Sequence, residues 1–542
     1  MDAITHPPVP ANEAIRTYAP GSSERESLAA ALRDLAAAPA ELTMTIAGEH
    51  RMAGGDRLDV LAPHCHAQVL GVSAQATAGD VDAAIGASLA AAPAWRELPF
   101  DERAAVFLRA ADLLSTTWRD TLNAATMLGQ SKTVHQAEID AACELADFLR
   151  FNAHFARRIL QEQPDSSALT WNRSDYRPLE GFVLAITPFN FTAIAGNLPS
   201  APALLGNVVV WKPSPTQQLA AHHTMRLFEA AGLPPGVINL VTGDGHAVSE
   251  VALTHPMLAG IHFTGSTATF HKLWRTVGNS IASYAGYPRL VGETGGKGFV
   301  VAHRSADPAA LVTALVRGAF EYQGQKCSAA SRAYVPRSLW DGGLRDELAA
   351  VTDSLTCGDV TDFANFGGAV IDRRAFDRLS AVQDRLRTDL SATVVAGGKS
   401  DDSIGYFVAP TVVESKDPEH EAFRVEYFGP LLAVHVYDDL RWADTLAQLE
   451  SVSPYALTGA VFARDREAIV EASHTLRFAA GNFYVNDKPT GAVVGQQPFG
   501  GARASGTNDK AGSVWNLLRW ASPRSMKETF VAPTDHRYPH MD

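Results

Sequence analysis

Between residues 181 and 266, short apolar runs alternate with longer segments of helical pattern, and this alternation constrains the fold more than any other feature of the chain. The apolar runs have the character of buried strands and fall at residues 181–186, 207–211, 237–241 and 260–263. Strands that alternate with helices predict βαβ units and a parallel sheet. Ligands of such sheets bind at the carboxyl ends of the strands.

A second α/β region follows from about Glu293. Residues 309–322 have a helical pattern, with Leu311, Leu315 and Ala319 on one face, and lead directly into Gly324-Gln-Lys-Cys327. Later strand candidates are residues 431–437, 459–462 and 482–485, and a helical layer is predicted over residues 80–158. The chain is therefore expected to form two α/β domains with a cleft between them.

Composition excludes several classes of protein. The chain has 542 residues, 46% of them apolar, and a formal net charge of −13, which argues against nucleic-acid binding. The four cysteines are scattered singly, which fits a reducing compartment, and His64 and His66 lack the further ligands that a zinc site needs. No apolar run is long enough to span a membrane and no secretory signal is visible. We expect a cytoplasmic protein without a metal.

Three residues suggest chemistry. Cys327 follows a glycine turn beside Lys326, and a neighbouring cation can lower the pKa of a thiol. Glu293 lies between glycines after an apolar run and could act as a general base. Asn190 follows the first predicted strand, where its amide could donate a hydrogen bond to an oxyanion. Taken singly, these residues could equally be a core cysteine, a solvated carboxylate and a turn residue.

Lys212 ends the second predicted strand, and Phe263-Thr-Gly-Ser-Thr267 ends the fourth and opens a helix. A helix N-terminus with small residues suits a phosphate. The chain has no GxGxxG, GxxxxGK[ST] or GxSxG motif, so general motifs alone do not establish a cofactor or a serine nucleophile.

Seven short motifs, in order, resemble those of the aldehyde dehydrogenase superfamily. They are Thr187-Pro-Phe-Asn190, Trp211-Lys-Pro-Ser214, Phe263-Thr-Gly-Ser266, Glu293-Thr-Gly-Gly-Lys297, Gly324-Gln-Lys-Cys327, Glu426-Tyr-Phe-Gly-Pro430 and Pro498-Phe-Gly-Gly501. The resemblance implies an α/β fold with a Rossmann-like NAD-binding domain, a second α/β catalytic domain and a β-hairpin oligomerisation element. The implied limits are an N-terminal extension 1–40, NAD-binding segments 41–165 and 180–292, a catalytic domain 293–513, and an oligomerisation hairpin and tail 166–179 and 514–542.

Within that superfamily the chain is similar to stand-alone 1-pyrroline-5-carboxylate dehydrogenases, on Thr294, residues 324–329 and the long run 482–508. The resemblance implies NAD-dependent oxidation of glutamate γ-semialdehyde to glutamate, the second step of proline degradation. Another small carboxylated semialdehyde, of succinate or methylmalonate, is the alternative substrate. From other classes, a thiol hydrolase or acyltransferase without NAD and a non-catalytic protein on the same scaffold remain alternatives.

The resemblance also assigns roles. Cys327 would attack the aldehyde, Asn190 and the Cys327 backbone N–H would stabilise the oxyanion, and Glu293 would activate water against the resulting thioester. The implied NAD-binding residues are Thr187, Lys212, Ser214, Gly265, Ser266, Thr267, Glu426 and Phe428. The implied substrate-binding residues are Ser328, Gly491, Ala492, Phe191, Phe499 and Glu144.

Two features bear on substrate and partners. The family more often has Ser at the position of Ala492, so the backbone donor for a substrate carboxylate is retained while a hydroxyl is lost. The hairpin and tail imply a homodimer or higher homo-oligomer, with Trp171 and Trp515 at the contact. A functional link to a separate proline dehydrogenase is also implied, with a small molecule as the substrate and no nucleic acid or membrane span.

Overall fold

The computed structural model describes residues 5–541. Its N-terminal half contains a helical layer and a central sheet. The strands are β1 (Ala40–Glu41), β2 (Met44–Ile46), β3 (Glu49–Arg51), β4 (Arg57–Ala62), β5 (Cys65–Ala74), β6 (Thr170–Arg177), β7 (Phe182–Thr187), β8 (Val208–Pro213), β9 (Ile238–Leu240), β10 (Leu258–Thr264) and β11 (Arg289–Glu293). The helices are α1 (Ser23–Ala37), α2 (Ala78–Glu97), α3 (Phe100–Ser115), α4 (Arg119–Gln130), α5 (Val134–Ala137), α6 (Leu145–Gln161), α7 (Thr192–Leu204), α8 (Gln218–Ala230), α9 (Gly245–Ala252) and α10 (Thr267–Asn279).

The central sheet has the order β11-β10-β7-β8-β9-β2-β3, and its strands from β11 to β9 are parallel. The four strands predicted from the apolar runs are β7 to β10, so the predicted parallel sheet is confirmed. After β7 the chain adds β8 and then β9 on one side of β7, and it next adds β10 on the other side of β7. The strand order therefore reverses between β7 and β10, which is where open α/β sheets bind ligands.

The strands of the C-terminal half are β12 (Gly298–Ala302), β13 (Ala330–Pro336), β14 (Ala392–Ala396), β15 (Ser400–Asp401), β16 (Phe407–Val408), β17 (Thr411–Ser415), β18 (Leu431–Tyr437), β19 (Tyr455–Ala456), β20 (Thr458–Phe462), β21 (Asn482–Val485), β22 (Ala502–Arg503) and β23 (Ser522–Thr529). Seven of them form a second sheet of order β14-β17-β18-β13-β12-β20-β21, which is parallel except for its edge strand β14. The helices are α11 (Pro308–Phe320), α12 (Arg337–Leu339), α13 (Arg345–Ser354), α14 (Arg373–Thr388), α15 (Glu421–Arg424), α16 (Trp442–Val452), α17 (Arg466–Thr475) and α18 (Val514–Leu518).

Burial explains why both sheets are parallel. Every residue of β8 and β12 is buried, and these strands read as continuous apolar runs rather than alternating ones. Strands with this pattern need helices on both faces, which βαβ connections supply. The first sheet and its helices form one hydrophobic core, and two further clusters cover the two faces of the second sheet.

Only four residues, 294–297, separate β11 of the first sheet from β12 of the second. The carboxyl end of β11 is thus held close to the amino end of β12. Gly296 lies in this linker, and its backbone packs so tightly on the carbonyl of Cys327 that a side chain there would clash. At this junction the linker 294–297, which follows the first sheet, contacts Cys327, which lies shortly before β13.

The segment 166–179 contains a tight hairpin turn, in which Ser167 and Thr170 exchange two backbone hydrogen bonds, but it has only one regular strand, β6. This strand pairs antiparallel with β23, from Thr170 opposite Thr529 to Arg177 opposite Ser522. The element is therefore a two-stranded ribbon made from both predicted oligomerisation segments. Trp171 and Trp515 are 47% and 59% exposed, so neither serves as core packing.

The described part of the N-terminal extension, residues 5–40, had little sequence pattern and packs on the helical layer. Leu28 and Leu32 of α1 are buried in a cluster with residues of α4. Among residues 5–541 no helix has the length and apolar character needed to cross a bilayer. Within the same residues, no group of His, Cys, Asp and Glu side chains is arranged to hold a metal ion.

Candidate active site

A strained turn presents Cys327 at the junction of the two sheets. After α11, Tyr322, Gln323 and Gly324 all adopt positive φ, of 51°, 53° and 64°. Non-glycine residues rarely occupy this region, and such strain persists only where the surroundings enforce it. The Gln323 amide donates to the carbonyls of Ser131 (3.0 Å) and Ala369 (2.6 Å), which holds the turn in place.

The Cys327 side chain is buried, with 9% of the residue exposed. Burial raises the pKa of its thiol well above the ordinary value, and the carboxylates of Glu293 and Glu426 add to the rise. The backbone N–H groups of Cys327 and Ser328 oppose the rise by donating to the sulfur. The resting cysteine is accordingly a thiol, which must lose its proton as it attacks.

The expectation that Lys326 lowers the pKa of Cys327 is wrong for this resting site. The Lys326 ammonium pairs with Glu321 at 3.1 Å, while burial and the carboxylates of Glu293 and Glu426 raise the pKa of the Cys327 thiol. Closeness in sequence therefore did not predict the partner of the Lys326 charge.

Glu293 ends β11 and reaches into the junction. Its carboxylate accepts a hydrogen bond from the Gly501 N–H at 3.0 Å, and Gly500 packs against it where a Cβ would lie 3.0 Å from Glu293 Oε1. Burial raises the pKa of this carboxyl well above its ordinary value, while the Gly501 N–H and Lys510 lower it. A carboxyl with a raised pKa near a thiol has the properties of a general base.

Asn190 lies in the loop between β7 and α7 and is 3% exposed. Its side-chain amide donates to the carbonyl of Gln325, two residues before Cys327, at 3.0 Å. The amide carries a second N–H group, so the same side chain can also donate to an oxygen beside the sulfur. Asn190 from the first sheet and Cys327 from the second are thus brought together.

Six of the eight residues predicted to bind NAD lie at or just after the strand ends of the first sheet. Thr187 closes β7, and its hydroxyl accepts from the Trp211 indole at 3.0 Å. Lys212, in the neighbouring β8, directs its buried ammonium to the Gly243 carbonyl at 3.2 Å. Burial lowers the pKa of Lys212 to about 8, and Asp244 opposes this. The Ser214 hydroxyl lies 3.1 Å from that of Thr216.

The loop after β10 lies across the strand-order reversal from Thr187. Gly265 donates its N–H to the Glu293 carbonyl at 3.2 Å, which ties this loop to the catalytic junction. Ser266 caps the 13-residue helix α10 by accepting from the Thr269 N–H at 3.2 Å. Thr267 accepts from the Gly295 N–H at 3.2 Å. The loop therefore leads to a helix N-terminus, which favours a phosphate.

The second sheet contributes Glu426 and Phe428 to the same cleft. The Glu426 carboxylate accepts from the Gly296 N–H at 2.6 Å, and burial raises its pKa to about 7. Phe428 has a positive φ of 54° and packs edge-on against Phe189 with ring centroids 5.7 Å apart. The Lys212 ammonium, the N-terminus of α10 and the Glu426 carboxylate are the kinds of group that bind the phosphates and ribose hydroxyls of a dinucleotide.

The residues predicted to bind substrate line one cavity of about 420 Å³ with Cys327 in its wall. Phe191 and Phe499 are among its apolar lining. The Ser328 hydroxyl lies 2.7 Å from that of Thr490, which precedes Gly491 and Ala492 in the opposing loop. The volume suits a small metabolite.

Glu144 ends the π-helical turn Glu138–Glu144, between α5 and α6, and lines the same cavity. Burial raises the pKa of its carboxyl to about 8, and the charge of Asp140 raises it further, while Lys132 opposes the rise. Lys132 itself pairs with Asp140 at 2.7 Å and lies 4.2 Å from the centre of the Phe191 ring.

Sequence reasoning missed part of this lining. Lys488 and Thr490 flank the predicted loop and lie within the run 482–508, so their closeness to Gly491 could have pointed to them. Asn12, Glu13 and Ile15 also line the cavity, and no motif marks them. The cavity therefore draws on a segment that the sequence presented only as an extension.

Comparisons with known proteins agree with this geometry. The aldehyde dehydrogenase family model matches residues 50–525. A solved structure of the Delta-pyrroline-5-carboxylate dehydrogenase from Mycobacterium tuberculosis bound with NAD has a TM-score of 0.97 and 63% identity, with 100% of both chains covered. The probable delta-1-pyrroline-5-carboxylate dehydrogenase of Schizosaccharomyces pombe is 49% identical, over 97% of each chain. The human delta-1-pyrroline-5-carboxylate dehydrogenase, named as mitochondrial, is 47% identical over 98% of this chain and 94% of its own.

The chain belongs to the aldehyde dehydrogenase family, and the expected fold is confirmed. Within the family, its similarity to 1-pyrroline-5-carboxylate dehydrogenases extends over the whole chain, as the motifs predicted.

Proposed function

We propose that this protein oxidises 1-pyrroline-5-carboxylate, in its open form glutamate γ-semialdehyde, to glutamate with NAD as the cofactor. The observation that carries the proposal is the single cavity that joins Cys327 to the Gly491-Ala492 loop and to Glu144. These groups match the aldehyde, carboxylate and ammonium of one small amino acid. The NAD-bound relative and the cleft along Lys212, Ser266 and Glu426 support the cofactor.

In the first step the Cys327 thiol releases its proton to solvent water as its sulfur forms a bond to the aldehyde carbon. The electron pair of the carbonyl double bond moves onto the oxygen, which becomes an oxyanion. The second N–H of Asn190 and the Cys327 N–H stabilise that oxygen. Donors fixed before the reaction need no reorganisation, which is why one such donor typically contributes about 10²–10³ in kcat. Here Gln325 fixes the orientation of Asn190.

NAD, when bound, accepts the hydride from this carbon. The carbon is left as a thioester on Cys327. Glu293 then accepts a proton from a water molecule, which attacks the thioester carbon and releases glutamate and the thiol. The burial that raises the pKa of Glu293 makes it a better base for this proton.

The two charged ends of the substrate fix its orientation. Gly491 has a positive φ of 91°, so the backbone N–H groups of this turn can turn toward a carboxylate without a net positive charge. Ser328 and Thr490 add hydroxyl donors beside it. Glu144 lies in the same cavity, where its ionised form would hold the ammonium, and Phe191 and Phe499 flank the aliphatic chain.

The test is NADH formation with pyrroline-5-carboxylate, run in parallel with succinate semialdehyde and with NADP in place of NAD. Turnover with pyrroline-5-carboxylate and NAD, at least about tenfold above the other combinations, is expected. Turnover of succinate semialdehyde alone would refute the substrate and leave the Cys327 mechanism standing. Absence of any thermal shift with NAD would refute the cofactor.

The ribbon β6/β23 is proposed to join this chain to a second copy, at least as a homodimer. The exposed indole of Trp171 on this ribbon and that of Trp515 nearby in sequence support this role. Sedimentation of the wild type and of a Trp171→Lys variant tests it, since a charge at the contact should favour the monomer.

Pyrroline-5-carboxylate arises by two-electron oxidation of proline, so a functional link to a separate proline dehydrogenase is proposed. For the compartment we propose the cytoplasm, on the four unpaired cysteines. Fractionation of the source cells tests this, and recovery with mitochondria, as the human relative's name would suggest, would refute it.

A further inference from the structure

The substrate cavity has a wall that the dehydrogenase mechanism does not use. Asn12, Glu13 and Ile15 belong to the irregular segment before α1, and all three line the cavity. We call residues 12–18 the N-terminal strap. It crosses from the helical layer to the loop that carries Gly491 and Ala492.

Asn12 connects three parts of the protein through one amide. Its Nδ2 donates to Asp147 Oδ2 on α6 at 2.8 Å and to the Val494 carbonyl at 2.8 Å. Its Oδ1 accepts from the Gln496 amide at 2.8 Å. Both donors and the acceptor of the side chain are therefore used, and two of the three bonds go to the loop.

The rest of the strap is fixed firmly enough to serve as a support. The Glu13 carboxylate pairs with Arg119 (2.8 Å) and Arg150 (2.7 Å), and its N–H donates to Asp147 (2.7 Å). Arg119 in turn pairs with the fully buried Glu138, which also accepts from Tyr18 at 2.8 Å. Charge-assisted hydrogen bonds of this kind are the stronger ones in proteins.

The loop it supports has little regular structure. Between β21 and β22, residues 486–501 form neither helix nor strand. Gly491 and Ala492 lie three and two residues before Val494, so the Asn12 contacts to Val494 and Gln496 hold the chain directly after this turn.

We propose that Asn12 is a positioning residue for the substrate carboxylate, acting through Val494 and Gln496 on the Gly491-Ala492 turn. This inference rests on the proposed function, in which that turn binds the carboxylate. Backbone N–H groups can bind a carboxylate only where the turn that carries them is held in place, and Asn12 supplies two hydrogen bonds to the chain that directly follows this turn.

The test compares Asn12→Ala with the wild type on three aldehydes. KM for pyrroline-5-carboxylate and the inhibition constant of glutamate are expected to rise about tenfold, the equivalent of one to two lost hydrogen bonds. The kcat should stay within about twofold, since Cys327, Asn190 and Glu293 are untouched. KM for propanal, which has no carboxylate, should not change.

Tyr18→Phe is the matched control, because it loosens the strap at Glu138 and leaves both loop contacts in place. It is expected to lower the melting temperature without raising KM. If Asn12→Ala does not fold, Gln496→Ala removes one contact from the loop side and should raise KM about threefold.

Equal rises of KM for propanal and pyrroline-5-carboxylate would overturn the inference, since they would show a general structural role. An unchanged KM in both Asn12→Ala and Gln496→Ala would overturn it as well. Succinate semialdehyde, which has a carboxylate like pyrroline-5-carboxylate, is the third aldehyde of the test. A wild type that used it and not pyrroline-5-carboxylate would refute the proposed substrate, while the KM ratio of the variants on succinate semialdehyde would still decide the role of Asn12.

Discussion

The proposed cofactor cleft and the proposed substrate cavity, which has Cys327 in its wall, are built in different ways. Most of the cleft consists of short loops that follow β7, β8 and β10 directly, so its residues lie within a few positions of a strand end. The cavity draws on side chains from Asn12 to Phe499 that come from several segments far apart in the chain. The difference teaches that sheet topology alone can place a dinucleotide, whereas the substrate site needs the packing of the whole chain.

The strongest test of this division is Cys327→Ala, which removes the nucleophile and leaves both sites in place. Turnover should fall by at least about 10⁴, because no other group can form the thioester. NAD should still raise the melting temperature as it does in the wild type. Steady-state NADH formation and a thermal shift measure the two effects separately.

Cys143→Ala is the matched control, since that thiol lines the same cavity and burial raises its pKa as well. It should retain turnover. Activity kept in Cys327→Ala and lost in Cys143→Ala would exchange the roles of the two cysteines.

Glu293→Gln tests the junction between the regions. The amide keeps the shape of the side chain and cannot accept a proton, so thioester hydrolysis should slow by about 10³ while its formation continues. Rapid mixing should then show a burst of NADH equal to the number of sites, followed by a slow phase. Slower NADH formation without a burst would show that Glu293 acts before the thioester forms.

The sequence predicted the two sites unequally. The runs that became β7 to β10 are apolar on both faces, so local pattern alone placed the strand ends and with them Lys212 and Ser266. The Gly324-Gln-Lys-Cys327 motif marked the nucleophile, but not the three positive φ values or the burial that together set its environment. The φ values and the burial depend on contacts with Ser131, Ala369 and Gly429, which lie far away in the sequence.

The errors have the same physical origin. Lys326 was expected to act on Cys327, and its partner proved to be Glu321. The main partner of β6 proved to be β23, about 350 residues later in the chain, although the predicted turn is present at Ser167 and Thr170. In each case the partner is one that the local sequence pattern did not mark.

Lys212→Met sharpens the comparison on the cofactor side. The methyl end preserves bulk and removes the ammonium that is proposed to bind the cofactor, so KM for NAD should rise about tenfold. KM for pyrroline-5-carboxylate should not change, because Lys212 does not line the cavity. Initial rates with each substrate varied in turn provide the measurement, and a rise of both constants would contradict the separation of the two sites.

Glu144 gives the smallest effect and the one specific to the substrate side. Burial and Asp140 raise its pKa to about 8, so at pH 7 the carboxyl is mostly protonated, and it becomes an anion as the pH passes 8. If only the anion holds the substrate ammonium, the competent fraction rises about fivefold from pH 7 to pH 8, and KM for pyrroline-5-carboxylate falls by the same factor. Succinate semialdehyde, which lacks the amino group, should not show this fall, and Glu144→Gln should abolish it. A fall of equal size in Glu144→Gln would assign the titration to another group, such as the substrate amine itself, and would leave Glu144 as a buried structural carboxyl.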